Sequence, residues 1–199
     1  MRVEIHPTHP QQRLLDKAVD VLRRGGVVVY PTDTVYGIGC DITQKKALER
    51  VYELKRMPSD HPVGFVCPDL GDIARYAVVD DMSYRIMRRL LPGPYTFILP
   101  ATREVPKIVM RKQKTVGIRV PHHEVALRLV RALGHPIVST SASIDGVQHA
   151  DPDDIASQFG RADMILDCGW GGLEPSTIVD LTGHTPVVVR EGAGPADVV

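Results

Sequence analysis

The chain carries no excess of either charge: Lys plus Arg and Asp plus Glu number 24 each in 199 residues. Without a bulk field it does not gather nucleic acid or an anionic membrane by charge alone, so any polyanion must be held locally. No window approaches the length of a membrane span, and the opening Met1-Arg2-Val3-Glu4-Ile5-His6 has no apolar signal core, which predicts a cytoplasmic protein without a membrane partner. Cysteine is scarce. Cys40, Cys67 and Cys168 form no Cys-x-x-Cys pair, which argues against a disulfide framework or a thiolate zinc site and leaves reduced thiols in or near the core. The 8 histidines do not fill that gap, because His122 and His123 are adjacent and the others lack helical spacing; no metal ligand is assigned. Also missing are a P-loop, a Gly-x-Gly-x-x-Gly after a strand and a Gly-x-Ser-x-Gly elbow, so nucleotide binding would need another design. There is no repeat, low-complexity tract or long linker, and residues 1–199 read as a single domain.

What is present begins with the apolar run Val27-Val28-Val29-Tyr30, which empties into Pro31-Thr32-Asp33-Thr34-Val35-Tyr36-Gly37-Ile38-Gly39. Pro31 cannot continue a central ladder, and Gly37 and Gly39 permit positive φ or close backbone approach. Residues 31–39 are therefore expected to form a shaped loop at a strand end, where α/β proteins bind ligands. An ordinary β-turn with satisfied hydroxyls accounts for the same residues.

Apolar spacing predicts helices over residues 11–24, 47–54, 82–91 and 125–133, with Gly25-Gly26 and Gly134 as stops. Strands are predicted over residues 27–30, 63–67, 95–99, 116–120, 136–139, 164–166, 177–181 and 187–190. This alternation indicates an α/β sheet, and short returns such as Thr182-Gly183-His184 indicate antiparallel pairing in the last third, hence a mixed sheet. Arg103, Lys107, Arg111, Lys112, Lys114 and Arg119 face one acid, Glu104, over residues 103–119, and Arg85, Arg88 and Arg89 form a second basic cluster on a helix. Most such runs are solvated faces. Arg119 differs, because a guanidinium inside a strand needs a partner, and a carboxylate or phosphate fits its fork.

Four strand ends share small hydroxyls and accessible amides: residues 32–36, Thr115 with Arg119, residues 139–143, and Ser176-Thr177 after Gly169-Trp170-Gly171-Gly172. With Lys55 and Arg190 they describe an anion-binding cleft. No serine there shows a His-Asp relay, and Asp145 and His149 read as loop polar residues. Positioning and charge stabilisation are therefore expected to run the chemistry, without a covalent enzyme intermediate.

Residues 31–39, Pro92-Gly93-Pro94-Tyr95-Thr96, residues 115–121, residues 136–142 and Pro175-Ser176-Thr177-Ile178-Val179-Asp180-Leu181 closely resemble, in order, the motifs of the YrdC family. The resemblance implies a twisted mixed β-sheet with flanking helices and a concave, positively charged cleft. It implies an L-threonylcarbamoyladenylate synthase, a nucleotidyltransferase that uses ATP with Mg2+, L-threonine and bicarbonate, releases pyrophosphate, and feeds tRNA modification through threonylcarbamoyl-transfer proteins. Carried over residue by residue, Thr32, Arg119 and Ser176 would hold threonine, while Lys55, Thr115, Ser141 and Arg190 would face ATP.

Two positions depart from the family pattern. Met57 in Lys55-Arg56-Met57-Pro58 stands at an arginine, and Ser143 in Ser141-Ala142-Ser143 stands at an asparagine. If the helix continued through them, Arg56 and Met57 would point about 100° apart, so Arg56 is not expected to replace the lost guanidinium. The opening residues 5–14 and the closing Val187-Val188-Val189-Arg190-Glu191-Gly192 look most like the YciO branch. Two further readings follow: a paralogue that binds tRNA or double-stranded RNA through its basic segments, or an enzyme that handles the same adenylate in the reverse or hydrolytic direction.

Overall fold

In a computed structural model, described for residues 1–107, 109 and 114–198, the chain folds around one ten-stranded sheet. Strand β1 (Arg2–Glu4) precedes helix α1 (Gln12–Arg23), whose Leu14, Leu15, Ala18, Val19 and Leu22 are buried; Gly25 at φ 78° ends the segment. Then follow β2 (Val27–Tyr30), β3 (Gly37–Asp41), α2 (Lys45–Leu54), β4 (Gly64–Val66), α3 (Leu70–Tyr76), α4 (Asp81–Leu90), β5 (Tyr95–Pro100) and β6 (Thr115–Arg119). Helix α5 (Glu124–Leu133) stops at Gly134, φ 89°, before β7 (Ile137–Ser141), the hairpin of β8 (Ser143–Ile144) and β9 (Val147–Gln148), and α6 (Pro152–Phe159). Strands β10 (Met164–Asp167), β11 (Thr177–Asp180) and β12 (Val187–Arg190) complete the sheet, ahead of a 3-10 turn at Ala196–Val198.

The strand order is β1-β10-β2-β3-β7-β4-β6-β5-β11-β12, mixed as expected. The last third is less antiparallel than its short returns suggest. β11 and β12 pair antiparallel, but β10 runs parallel to both β1 and β2, and β11 runs parallel to β5. Alternation along β2 shows why its sequence reads as an unbroken apolar run: Val27 and Val29 enter one core cluster, Val28 and Tyr30 the other. Helices α1 and α5 cover the second face with Leu15, Leu22 and Leu129; Leu48, Val51, Ile155 and Phe159 from α2 and α6 belong to the first. A strand covered on both faces needs apolar side chains in both directions.

Residues 31–39 are not wholly a loop. The turn is confined to residues 31–36, and Gly37 already pairs with Tyr30 and Ser141 in the ladder. Neither Gly37 nor Gly39 has positive φ. Their role is close approach: a Cβ on Gly39 would lie 2.6 Å from Ile137 Cγ2, and one on Gly37 would lie 3.1 Å from the Tyr30 ring. Among the described residues no helix is long and apolar enough to cross a membrane.

Candidate functional site

A cavity of about 760 Å3 opens on the sheet, lined from an unbroken run of neighbouring strands between β3 and β12. Its walls include Thr32, Lys55, Arg119, Ser141, Ser176 and Arg190. Thr115 is not among the lining residues: it shares a strand face with Gly117 and Arg119 but lies two residues outward, where β6 meets Pro100 of β5. Thr177, beside Ser176, is fully buried and donates its hydroxyl to the Gly194 carbonyl. Arg111 and Lys112 fall outside the described residues.

One end of the cavity is set by the 32–36 turn. Thr32 Oγ1 donates to the Val35 carbonyl at 2.6 Å and accepts from the Thr34 amide at 3.2 Å. The turn therefore satisfies its own hydroxyls and also presents Thr32 to the cavity. Arg119 reaches across to it, with its Nη1 donating to Thr34 Oγ1 at 2.8 Å and its Nη2 to Asp33 Oδ1. The partner that this buried guanidinium requires is thus an internal carboxylate. Burial depresses the Arg119 pKa while Asp33 opposes the shift, and Arg119 Nε and Asp33 Oδ2 remain buried without hydrogen-bond partners. Ser176 Oγ lies 2.8 Å from Thr96 Oγ1, a cavity residue that the sequence reading passed over. Arg190 Nη2 donates to the Ser176 carbonyl at 2.6 Å. Burial and then the like charge of Arg119 lower the Arg190 pKa, so the two guanidiniums share one space.

The other end is built around Lys55. Helix α2 ends at Leu54, and Lys55 as its C-cap projects into the wall only 7% exposed. Its Nζ donates to the Ser141 carbonyl at 2.6 Å and lies 2.9 Å from Ser143 Oγ, which itself lies 3.0 Å from Ser141 Oγ. Among the described residues no carboxylate pairs with Lys55, and burial pushes its pKa down to about 8. Ser143, marked in the sequence as a departure, is therefore a direct partner of the lysine. The helical relation assumed for Arg56 and Met57 does not hold: Arg56 has φ 53°, outside the helix, and both side chains line the cavity. The left-handed residue turns the chain after Lys55, so a 100° offset says nothing about where Arg56 reaches.

Asp145 and Gly146, with φ 51° and 80°, form the two-residue turn of the β8–β9 hairpin and also line the cavity. Asp-Gly at both positive-φ positions is a hairpin signal that was present in the sequence but unread. His149 stays out of the cleft, its ring 6.5 Å from that of Phe159. Chemically, the cavity offers hydroxyls, an unpaired buried ammonium and the guanidiniums of Arg56 and Arg190, neither in an ion pair among the described residues, against one lining acid, Asp145. Such a donor set suits a ligand bearing several anionic oxygens.

Residues 20–192 match the Sua5/YciO/YrdC family model, described as telomere recombination. The uncharacterized protein YciO of Escherichia coli (strain K12) is 44% identical over 194 residues, covering 96% of this chain and 94% of that protein. Its crystal structure superposes with a TM-score of 0.95 at 42% identity, over 100% of this chain and 98% of that one. The threonylcarbamoyl-AMP synthase of Xanthomonas campestris pv. campestris (strain B100) is 38% identical over 187 residues, 89% of this chain and 97% of that protein. The crystal structure of Pyrococcus abyssi Sua5 complexed with L-threonine matches with a TM-score of 0.92 at 29% identity, over 99% of this chain and 59% of that chain. Fold and sequence agree that the chain belongs to the Sua5/YciO/YrdC family.

Proposed function

We propose that the cleft joins L-threonine, bicarbonate and ATP into threonylcarbamoyl-AMP with release of pyrophosphate, for transfer to tRNA by threonylcarbamoyl-transfer proteins. The carrying observation is that one cavity of about 760 Å3 gathers Thr32, Arg119 and Ser176 with Lys55, Ser141 and Arg190. That volume lies within the ~300–1,000 Å3 usual for ligand pockets and suits a nucleotide beside an amino acid. Named synthases among the relatives, and an L-threonine complex among the similar structures, support the same reading.

The chemistry asks little of a general base. Threonine's amine captures carbon dioxide as a carbamate, and a carbamate oxygen attacks the α-phosphorus while pyrophosphate departs. Lys55 and Arg190 spread the charge that grows on the phosphate oxygens, and Ser141 donates to them. Magnesium, as the nucleotide's counter-ion, would supply further charge neutralisation beside Lys55 and Arg190. Arg119, held by Asp33 and Thr34, presents a fixed cation near the threonine end, where Thr32 and Ser176 supply hydroxyls to the cavity wall. Thr115 would have to act from the rim. Incubating the protein with ATP, threonine, bicarbonate and magnesium should give threonylcarbamoyl-AMP and pyrophosphate by mass spectrometry; no adduct above a protein-free blank overturns the proposal.

A further inference from the structure

Lys55 and Ser143 are arranged for more than phosphate binding. A neutral amine has two N–H donors and one lone pair. Lys55 Nζ donates to the Ser141 carbonyl at 2.6 Å and to Ser143 Oγ at 2.9 Å; once the amine is neutral, the same 2.9 Å contact lets its lone pair accept the Ser143 hydroxyl. Both side chains are only 7% exposed, yet both line the cavity, so substrate can reach a pair that bulk water largely does not. Ser143 is held in place on one side by its pairing with Gln148 in the hairpin and on the other by Ser141 Oγ at 3.0 Å. No carboxylate among the described residues ties the ammonium down as an ion pair.

We propose that Ser143 and Lys55 form a serine–lysine dyad that hydrolyses acyl phosphates in this cleft. Lys55 Nζ takes the Ser143 proton as Oγ bonds to the acyl carbon. The bond from that carbon to the phosphate oxygen breaks, and the oxygen leaves with the electron pair and takes the proton from Lys55, the remaining phosphate charge being met by Arg56 and Arg190. Water then attacks the acyl-serine, its proton passing through Lys55, and Ser143 leaves as the free hydroxyl. The sum is acyl phosphate plus water giving carboxylic acid and phosphate. Burial favours the neutral base, with a Lys55 value of about 8. This activity is independent of the synthase reading, and needs only that anions enter the same cavity.

The intact protein is treated with diisopropyl fluorophosphate and mapped by peptide mass spectrometry; in parallel, acetyl phosphate hydrolysis is followed by phosphate release. The expected result is one adduct on Ser143, formed as the Oγ–phosphorus bond replaces phosphorus–fluorine, with a rate rising around pH 8. Lys55→Arg should slow labelling at least ~100-fold, the scale of a lost general base, and remove that rise. The other charged groups facing the cavity, Arg56, His61, Arg119, Asp145 and Arg190, remain in that variant, so a rise that persists overturns its assignment to Lys55. Ser143→Ala should lose both the adduct and the acetyl phosphate turnover. Wild-type protein without an adduct on Ser143, or Lys55→Arg labelled at an equal rate, overturns the dyad. Threonine-dependent pyrophosphate release, which counts each synthesis even where the dyad consumes the adenylate, separates the two readings on the same wild-type sample: release without labelling sinks only the dyad, and labelling without release sinks only the synthase.

Discussion

Lys55 is the residue whose environment has the most measurable consequence. Its folded value of about 8 lies below the ordinary 10.5, so between those values the unfolded chain binds more protons than the folded one. Lys55 therefore destabilises fully below pH 8, and the penalty is lifted as pH rises toward 10.5. In urea unfolding, the stability difference between Lys55→Met and wild type should shift by about 2 kcal/mol in favour of wild type between pH 7 and pH 10.5, after allowance for water in the cavity. The comparison has to be a difference, because Cys40, Tyr30 and Tyr36 are pushed up to about 12 by burial and destabilise the fold at high pH in both proteins. Asp33→Ala should lower the unfolding free energy by roughly 3–5 kcal/mol, since it strands the buried Arg119, and adding Arg119→Met should recover most of that loss. Met57→Arg with Ser143→Asn should raise threonylcarbamoyl-AMP synthesis, because both positions line the cavity beside Lys55; an unchanged rate would show that the missing phosphate contacts are not limiting. These side chains were legible as types, but not as partners. Nothing in a linear reading ties Asp33 to Arg119 or Lys55 to Ser143, which are 86 and 88 positions apart.

Among elements, the strands and helices with strong periodicity were readable to within a residue or two: β5 begins at Tyr95 and α5 ends at Leu133, where the pattern places them. Short elements were not. Helix α6 carries an Asp151 N-cap and Pro152 in its first turn, and α3 an Asp69 cap, so both had local start signals, but 8 and 7 residues give too little periodicity to stand out. β1 is three residues long and pairs Arg2 with Ile165, so only the distant partner defines it as a strand. Gly37 and Gly39 were read as permitting positive φ or close backbone approach, and the structure uses the second, through their missing Cβ atoms. Gly39→Ala should lower Tm by roughly 4–8 °C in a thermal melt, because the new methyl meets Ile137 Cγ2 and the Val138 carbonyl at 2.6 Å; that corresponds to about 2 kcal/mol of overpacking.

For the whole molecule, equal numbers of acidic and basic residues coexist with a cavity lined, among the described residues, by Lys55, Arg56, Arg119 and Arg190 against one acid, Asp145. RNA binding is the second reading of the basic segments, and Arg85 and Arg88 on α4 are exposed. It predicts an affinity for duplex RNA that falls steeply between 50 and 200 mM salt in a filter-binding titration; binding that ignores salt, or none, removes it. The sequence by itself determined the mixed α/β class, the family and the kinds of side chain at the cleft, because periodicity and short ordered motifs are local properties of the chain. Only the tertiary structure decided which of those side chains face one another. Strand order brings β3, β7, β4, β6, β5 and β11 side by side out of sequence, and burial then sets whether a cation meets a carboxylate, as Arg119 does, or, as Lys55 does among the described residues, meets a serine without a carboxylate.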